Sequence, residues 1–180
     1  LGLYLEAVAN TYSATPGDSI QINLEITNRS ELPISLQSVI FQGIGKDTTL
    51  NFAIKNNVPF KFKSKIKIPE IAEFTGQYWL QEPSSPNMYV VKDQSLRGLA
   101  ENIRANKATF LILIDGQLID FTKEINYKWE DNVKGEQFRP LEITPPVFTN
   151  FEEKSYIFPN NEAKIVRLKL RAGKENVAGK

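Results

Sequence analysis

"SIQINLEIT", residues 19–27, is the stretch from which the rest of the chain can be read. Ile20, Ile22, Leu24 and Ile26 alternate with polar residues without a break. A strict period of two is the pattern of a strand with one face buried. Thr15-Pro16-Gly17-Asp18, just upstream, has the chemistry of a tight turn, because Pro fixes φ at one position and Gly takes a positive φ at the next. Before that turn, "GLYLEAVA" (2–9) alternates Leu3, Leu5, Ala7 and Ala9 and is expected to pair with 19–27 as a hairpin.

The same period recurs downstream. "ISLQSVIFQG" (34–43) follows Pro33 as a third strand, and "VPFKFKSKIKIP" (58–69) sets Phe60, Phe62, Ile66 and Ile68 against Lys61, Lys63, Lys65 and Lys67 on the opposite face. In "ATFLILIDGQLIDFTKEINYKW" (108–129), Asp115-Gly116 is the preferred pair for a type I′ turn. Ile119, Phe121, Ile125, Tyr127 and Trp129 then continue one face, with Lys123 intruding. Only "LRGLAENIRA" (96–105) reads as a helix, with Leu96, Leu99 and Ile103 at helical spacing and Gly98 inside it.

Many short strands, Pro and Gly punctuation and no alternation of strands with helices predict an all-β fold, an antiparallel immunoglobulin-like β-sandwich over residues 1–143. The cysteine–tryptophan core of antibody domains is missing. Beyond Pro145-Pro146, "SYIFPNNEAKIVRLKLRAGKENVAGK" (155–180) reads as two strands joined by a Pro-Asn-Asn turn, with Val166, Leu168, Leu170 and Ala172 on one face. Residues 145–180 fall short of the ~40 residues below which a domain rarely folds alone. The stretch 144–180 is therefore expected to be the start of a second, truncated sandwich. Leu1 in place of Met likewise leads us to expect a longer parent product.

Composition narrows the chemistry. With 22 basic and 21 acidic residues the net charge is +1, so no global field attracts nucleic acid or an anionic membrane. No hydrophobic run approaches the ~20 residues of a membrane-spanning helix, and no signal peptide opens the chain. His and Cys both number 0, which removes Ser-His and Cys-His nucleophiles, thiol redox chemistry and the usual zinc ligands. No cofactor is expected in this chain. Carboxylate chemistry is what remains.

The candidate acids lie in "NYKWEDNVKGEQFRPLEITPPVF" (126–148). A glycosidase needs two carboxyl groups facing each other across a cleft. On a strand, Glu130 and Asp131 point to opposite faces. The preferred reading is a hairpin tip over Asn132–Gly135. Glu136 is then able to approach Glu130 or Lys128, and Arg139 to pair with an acid or stack on Trp129. "DNVKGE" lacks the alternating acids of a calcium loop.

Three further features bear on binding. The lysines 61, 63, 65 and 67 are either an anion-binding row or the charged blunting of an edge strand, and the edge reading is preferred. In "TGQYWLQEPSSPNMYV" (75–90), adjacent Tyr78 and Trp79 should divide between core and surface, and an exposed Trp is raw material for stacking on a sugar. Asn28-Arg29-Ser30 fits the N-glycosylation pattern.

"QYWLQEP" (77–83), the string from Tyr127 through Trp129, Asp131, Gly135, Glu136, Arg139 and Pro140, and "PNNEAKIVRLKLRAGKENVAGK" (159–180) together resemble the C-terminal region of the large bacterial PIG-L (LmbE-like) deacetylases. In that family a zinc-dependent amidase domain is followed by immunoglobulin-like sandwiches akin to NEW3 domains. The resemblance spans most of the chain. Its zinc motif, His-x-Asp-Asp with a distant His, has no counterpart here. The resemblance thus implies a non-catalytic accessory region in the periplasm or at the cell surface. It would act in cis on its own catalytic domain, with zinc held in that other domain and Tyr127 to Pro140 closing a hairpin at a domain end. A carbohydrate-binding module built on Tyr78, Trp79 and the lysine row, a carboxylate-only glycoside hydrolase, and a stand-alone adhesion sandwich are the alternatives.

Overall fold

The computed structural model describes residues 2–44, 46–160 and 162–174. Its strands are β1 (Leu3–Ala9), β2 (Ser13–Ala14), β3 (Ser19–Asn28), β4 (Ile34–Gln42), β5 (Lys46–Ile54), β6 (Phe60–Lys67) and β7 (Lys107–Ile114). They continue with β8 (Gln117–Glu124), β9 (Asn126–Asp131), β10 (Gly135–Pro140), β11 (Glu142–Ile143), β12 (Val147–Phe151) and β13 (Leu168–Ala172). The chain is all-β with antiparallel sheets. One sheet has the order β10-β9-β1-β3-β6, within which β1 pairs with β9 in parallel, and the other β5-β4-β7-β8, while β2 also pairs with β11 in parallel.

Strand β3 lies between two partners, and the alternation in its sequence sets their register. Opposite Ile22, Leu24 and Ile26 stand Ala9, Ala7 and Leu5 of β1 on one side. On the other side stand Ser64, Phe62 and Phe60 of β6. Ile22, Leu24 and Ile26 are buried, as are Ala7, Ala9 and Ile66. From the second sheet, Leu36, Val39, Phe41, Phe110 and Ile112 meet them in a single core. Each buried Val, Leu, Ile or Phe side chain among them contributes about 1.5–3 kcal/mol by leaving water. A slip of one residue would turn all of β3's apolar residues outward, which is why this register holds.

The Thr15–Asp18 turn forms as expected: Gly17 has φ +87°, and the Asp18 carboxylate accepts from Thr15 N (2.8 Å) and Thr15 Oγ1 (2.9 Å). Asp115 (φ +47°) and Gly116 (φ +78°) both sit in the left-handed region that a type I′ turn requires.

Three expectations need correction. The first concerns residues 96–105, which form no helix. The backbone makes one 3₁₀ turn at Gln94–Leu96 and then runs irregularly, with Gly98 at φ +86°. Leu99 and Ile103 stay exposed, so no layer rewards a helical face.

The second correction concerns the apolar run from Ile119 to Trp129, which is not one strand. The chain changes sheets at buried Ile125, whose N–H donates to Asn106 O (3.1 Å) and whose carbonyl accepts from Leu141 N (3.1 Å). Strand β8 is then the edge of the four-stranded sheet, with Ile119 exposed and Phe121 half-buried.

The third is the tail: β13 pairs with β12, Leu170 opposite Thr149, and not with residues 155–158. Residues 155–160 carry no strand, and Asn161 of the expected turn lies outside the described residues.

Asn28, which opens the Asn28-Arg29-Ser30 pattern, ends β3 and leads into a turn. It is 1% exposed, donates to Leu32 O (3.2 Å) and accepts from Ser30 N (2.9 Å) and Ser30 Oγ (2.7 Å). Its amide is committed to a turn in the folded chain.

Candidate functional site

The acidic stretch folds as a β9–β10 hairpin in which Glu136 stands opposite Glu130 and Arg139 opposite Tyr127. Gly135, at φ +74°, closes the tip. There Asp131 Oδ1 accepts from the N–H groups of Lys134 (2.8 Å) and Val133 (2.9 Å), and these two bonds hold its carboxyl below the ordinary carboxylate range. Glu136 pairs with Lys128 at 3.0 Å, and Lys128 also reaches Glu6 on β1. Burial pulls the Lys128 ammonium down, but its bonds to Glu6 and Glu136 outweigh that and hold it above the ordinary lysine value. Asp131 addresses its own turn and Glu136 its cross-strand lysine, so they do not form a facing acid pair.

Arg139 emerges from β10 between Tyr127 on β9 and the following segment. It pairs with Glu142 (3.3 Å), and its guanidinium lies 4.5 Å from the centre of the Tyr12 ring. An acid partner was expected. The ring was expected to be Trp129 and is Tyr12. Tyr12 meets Tyr127 edge-on at 5.9 Å, and Tyr127 stacks on Trp129 at 6.0 Å. Pro140 ends β10, so that buried Leu141 can turn back to Ile125. Glu142 lies only three residues beyond Arg139, whereas Tyr12 is brought to it from far along the chain by the parallel β2–β11 pairing.

The lysine row occupies β6, the edge of the five-stranded sheet. Lys61 is paired with Glu25 (2.9 Å) and Lys67 with Glu70 (3.1 Å), so these two charges are already balanced. Lys63 and Lys65 are exposed on the same face. The row lies outside the cleft described next.

Tyr78 and Trp79 do not divide between core and surface. Both sit on a 3₁₀ turn, Tyr78–Leu80, in the long connection from β6 to β7, and both are half-buried. They meet edge-to-face at 4.9 Å. A turn of that kind points neighbouring side chains about a third of a revolution apart, where a strand would send them to opposite faces.

This connection covers a cleft of about 990 Å³, the upper end of the ~300–1,000 Å³ typical of small-molecule sites. Buried Asn106, Ile125, Leu141 and Ile143 form its floor. Tyr78, Trp79, Arg104 and Arg139 are among its walls. The lid is tied down by polar bonds that no local sequence pattern announces. Thr75 N donates to Ile143 O (2.7 Å) and Ile143 N to Thr75 Oγ1 (2.9 Å). Tyr78 N donates to Asn102 Oδ1 (3.0 Å) and Tyr78 OH to Leu99 O (3.1 Å). Asn106 Nδ2 donates to Leu141 O at 3.0 Å. Arg104 is held by Glu101 (2.6 Å), with Glu124 at 3.9 Å. The structure thus brings Tyr78, Trp79 and Arg139 to one site, which their separation in sequence did not reveal.

Among the described residues, no group of three or more Asp or Glu side chains is placed to hold a metal ion. No protein-family model, curated protein or solved structure matches the chain.

Proposed function

We propose that this chain is a non-catalytic accessory module, an immunoglobulin-like sandwich that spaces or orients a hydrolase domain carried elsewhere in the same product. That domain would resemble the PIG-L deacetylases and hold the zinc. The observation that carries the reading is the tail. Among the described residues, strands β12 and β13 pair only with each other, and Phe151, Leu168 and Leu170 stand exposed on them while the two main sheets close over their own core. A two-stranded hairpin with uncovered apolar residues is marginal by itself and calls for a further layer. That is how a chain passing from one sandwich into the next would look.

The strand order supports the sandwich reading: β1-β3-β6 facing β5-β4-β7-β8 corresponds to A-B-E facing C′-C-F-G. The charged residues of the hairpin support a structural role, since the acids Asp131 and Glu136 and the base Arg139 are each engaged in holding the hairpin or its junction.

The test is to compare the whole product with a form lacking these 180 residues. Turnover of a small soluble N-acetylated sugar per folded molecule should be unchanged, while melting temperature and activity on a polymeric substrate fall. Deacetylation by the isolated chain would sink the proposal.

A further inference from the structure

The geometry points to the cleft between the β6–β7 connection and the Ile125–Ile143 floor as a binding site for an uncharged oligosaccharide. This inference does not depend on what domain accompanies the module.

Charge is the first argument. The two arginines that line the cleft are each neutralised at short range, Arg104 by Glu101 (2.6 Å) and Arg139 by Glu142 (3.3 Å). A phosphate or polyanion would have to break those pairs before gaining any attraction, and each broken pair returns a carboxylate to the site. Glu73 lines the cleft as well, so its carboxylates outnumber its arginines and it disfavours an anionic ligand.

Hydrogen-bonding capacity is the second. Gln77, Gln81 and Trp79 line the cleft, and among the described residues no hydrogen bond engages their side-chain amides or indole N–H. Amides offer donors and acceptors together, which is what a hydroxyl-rich ligand needs. The other polar groups there (Thr75, Asn102 and Asn106) are spent on fixing the lid, so the cleft is formed before a ligand arrives. Third, Trp79 and Tyr78 sit edge-to-face in the wall, which presents ring surface to the C–H face of a pyranose.

A peptide fits less well. Peptides that bind by adding a strand need a free sheet edge, and the cleft is walled largely by irregular backbone over residues 71–81 and 100–105.

The chain contains two tryptophans, and Trp129 does not line the cleft. In Trp129→Phe the emission therefore reports on Trp79 alone. This variant would be titrated with neutral hexasaccharides of β-1,4-glucose, α-1,4-glucose, β-1,4-xylose and β-1,4-N-acetylglucosamine, with polygalacturonate and an unstructured neutral peptide alongside. At least one neutral hexasaccharide should shift or quench the emission saturably. Trp79→Ala, and separately Gln77→Ala/Gln81→Ala, should weaken that binding about tenfold or more by calorimetry without lowering the melting temperature by more than a few degrees. The glutamine pair keeps the test valid if Trp79→Ala fails to fold. A flat response to every neutral sugar, stronger binding of polygalacturonate or of the peptide, or undiminished affinity in the glutamine variant would each overturn the inference.

Discussion

Replacing Arg139 by Ala removes two contacts and leaves the backbone pairing of β10 in place. The pair with Glu142 is 3.3 Å long, with 42% and 36% of the two side chains exposed, so it contributes about 0.2–1 kcal/mol. The stacking on Tyr12 at 4.5 Å adds about 0.5–1 kcal/mol at a site this open. Arg139→Ala should therefore cost about 1–2 kcal/mol, or about 3–6 °C in melting temperature for a chain of this size. Arg139→Lys should recover part of the loss, since the charge remains but the planar fork does not. Urea and thermal unfolding followed by circular dichroism would measure both. A double-mutant cycle with Tyr12→Leu should return a coupling of about 0.5–1 kcal/mol. A loss above about 4 kcal/mol would mean that Arg139 holds a buried network, and no loss at all would remove the brace from the β10–β11 junction. Either result refutes the account of this stretch as a hairpin ending a folded body.

Phe110→Ala empties one of the largest fully buried positions and should cost about 3–5 kcal/mol in chemical denaturation. Asp131 has its folded-state pKa lowered by the turn amides. The stability it contributes is present above the unfolded carboxylate pKa and is lost as pH falls through the lower folded value. Melting curves of Asp131→Ala should therefore depend less on pH on the acid side than those of the parent chain, and identical acid limbs would exclude the cap. Expressed through a eukaryotic secretory pathway, the chain should carry no glycan on Asn28, because that side chain is buried and bonded at both ends; intact mass and peptide mapping decide it.

Local chemistry is legible in this sequence wherever one residue pair specifies a backbone shape. Pro16-Gly17 and Asp115-Gly116 specify their turns, and the alternation in β1, β3 and β6 specifies which face is buried. Strand β4 carries a subtler signal. Its buried residues are Ile34, Leu36, Val39 and Phe41, and the period breaks at Gln37, where the register shifts against both neighbouring strands. A bulge restores the phase of the burial pattern there. The run from Ile119 to Trp129 misleads because period two shows that a face is buried but not which sheet buries it.

The cleft shows the division most plainly. That Trp79 lies beside Tyr78 on a Pro-rich connection is written in the chain. That Arg139, Asn106 and Ile143 complete the same site depends on three tertiary events: the sheet change at Ile125, the β2–β11 pairing and the Thr75–Ile143 bonds. Alternation and turn residues act over a few bonds, so the sequence alone determined an all-β chain, its main strands and its lack of histidine and thiol chemistry. Bringing residues from positions 75 to 143 around one cavity is a matter of long-range packing, in which many weak contacts must agree at once, and only the tertiary structure decided it.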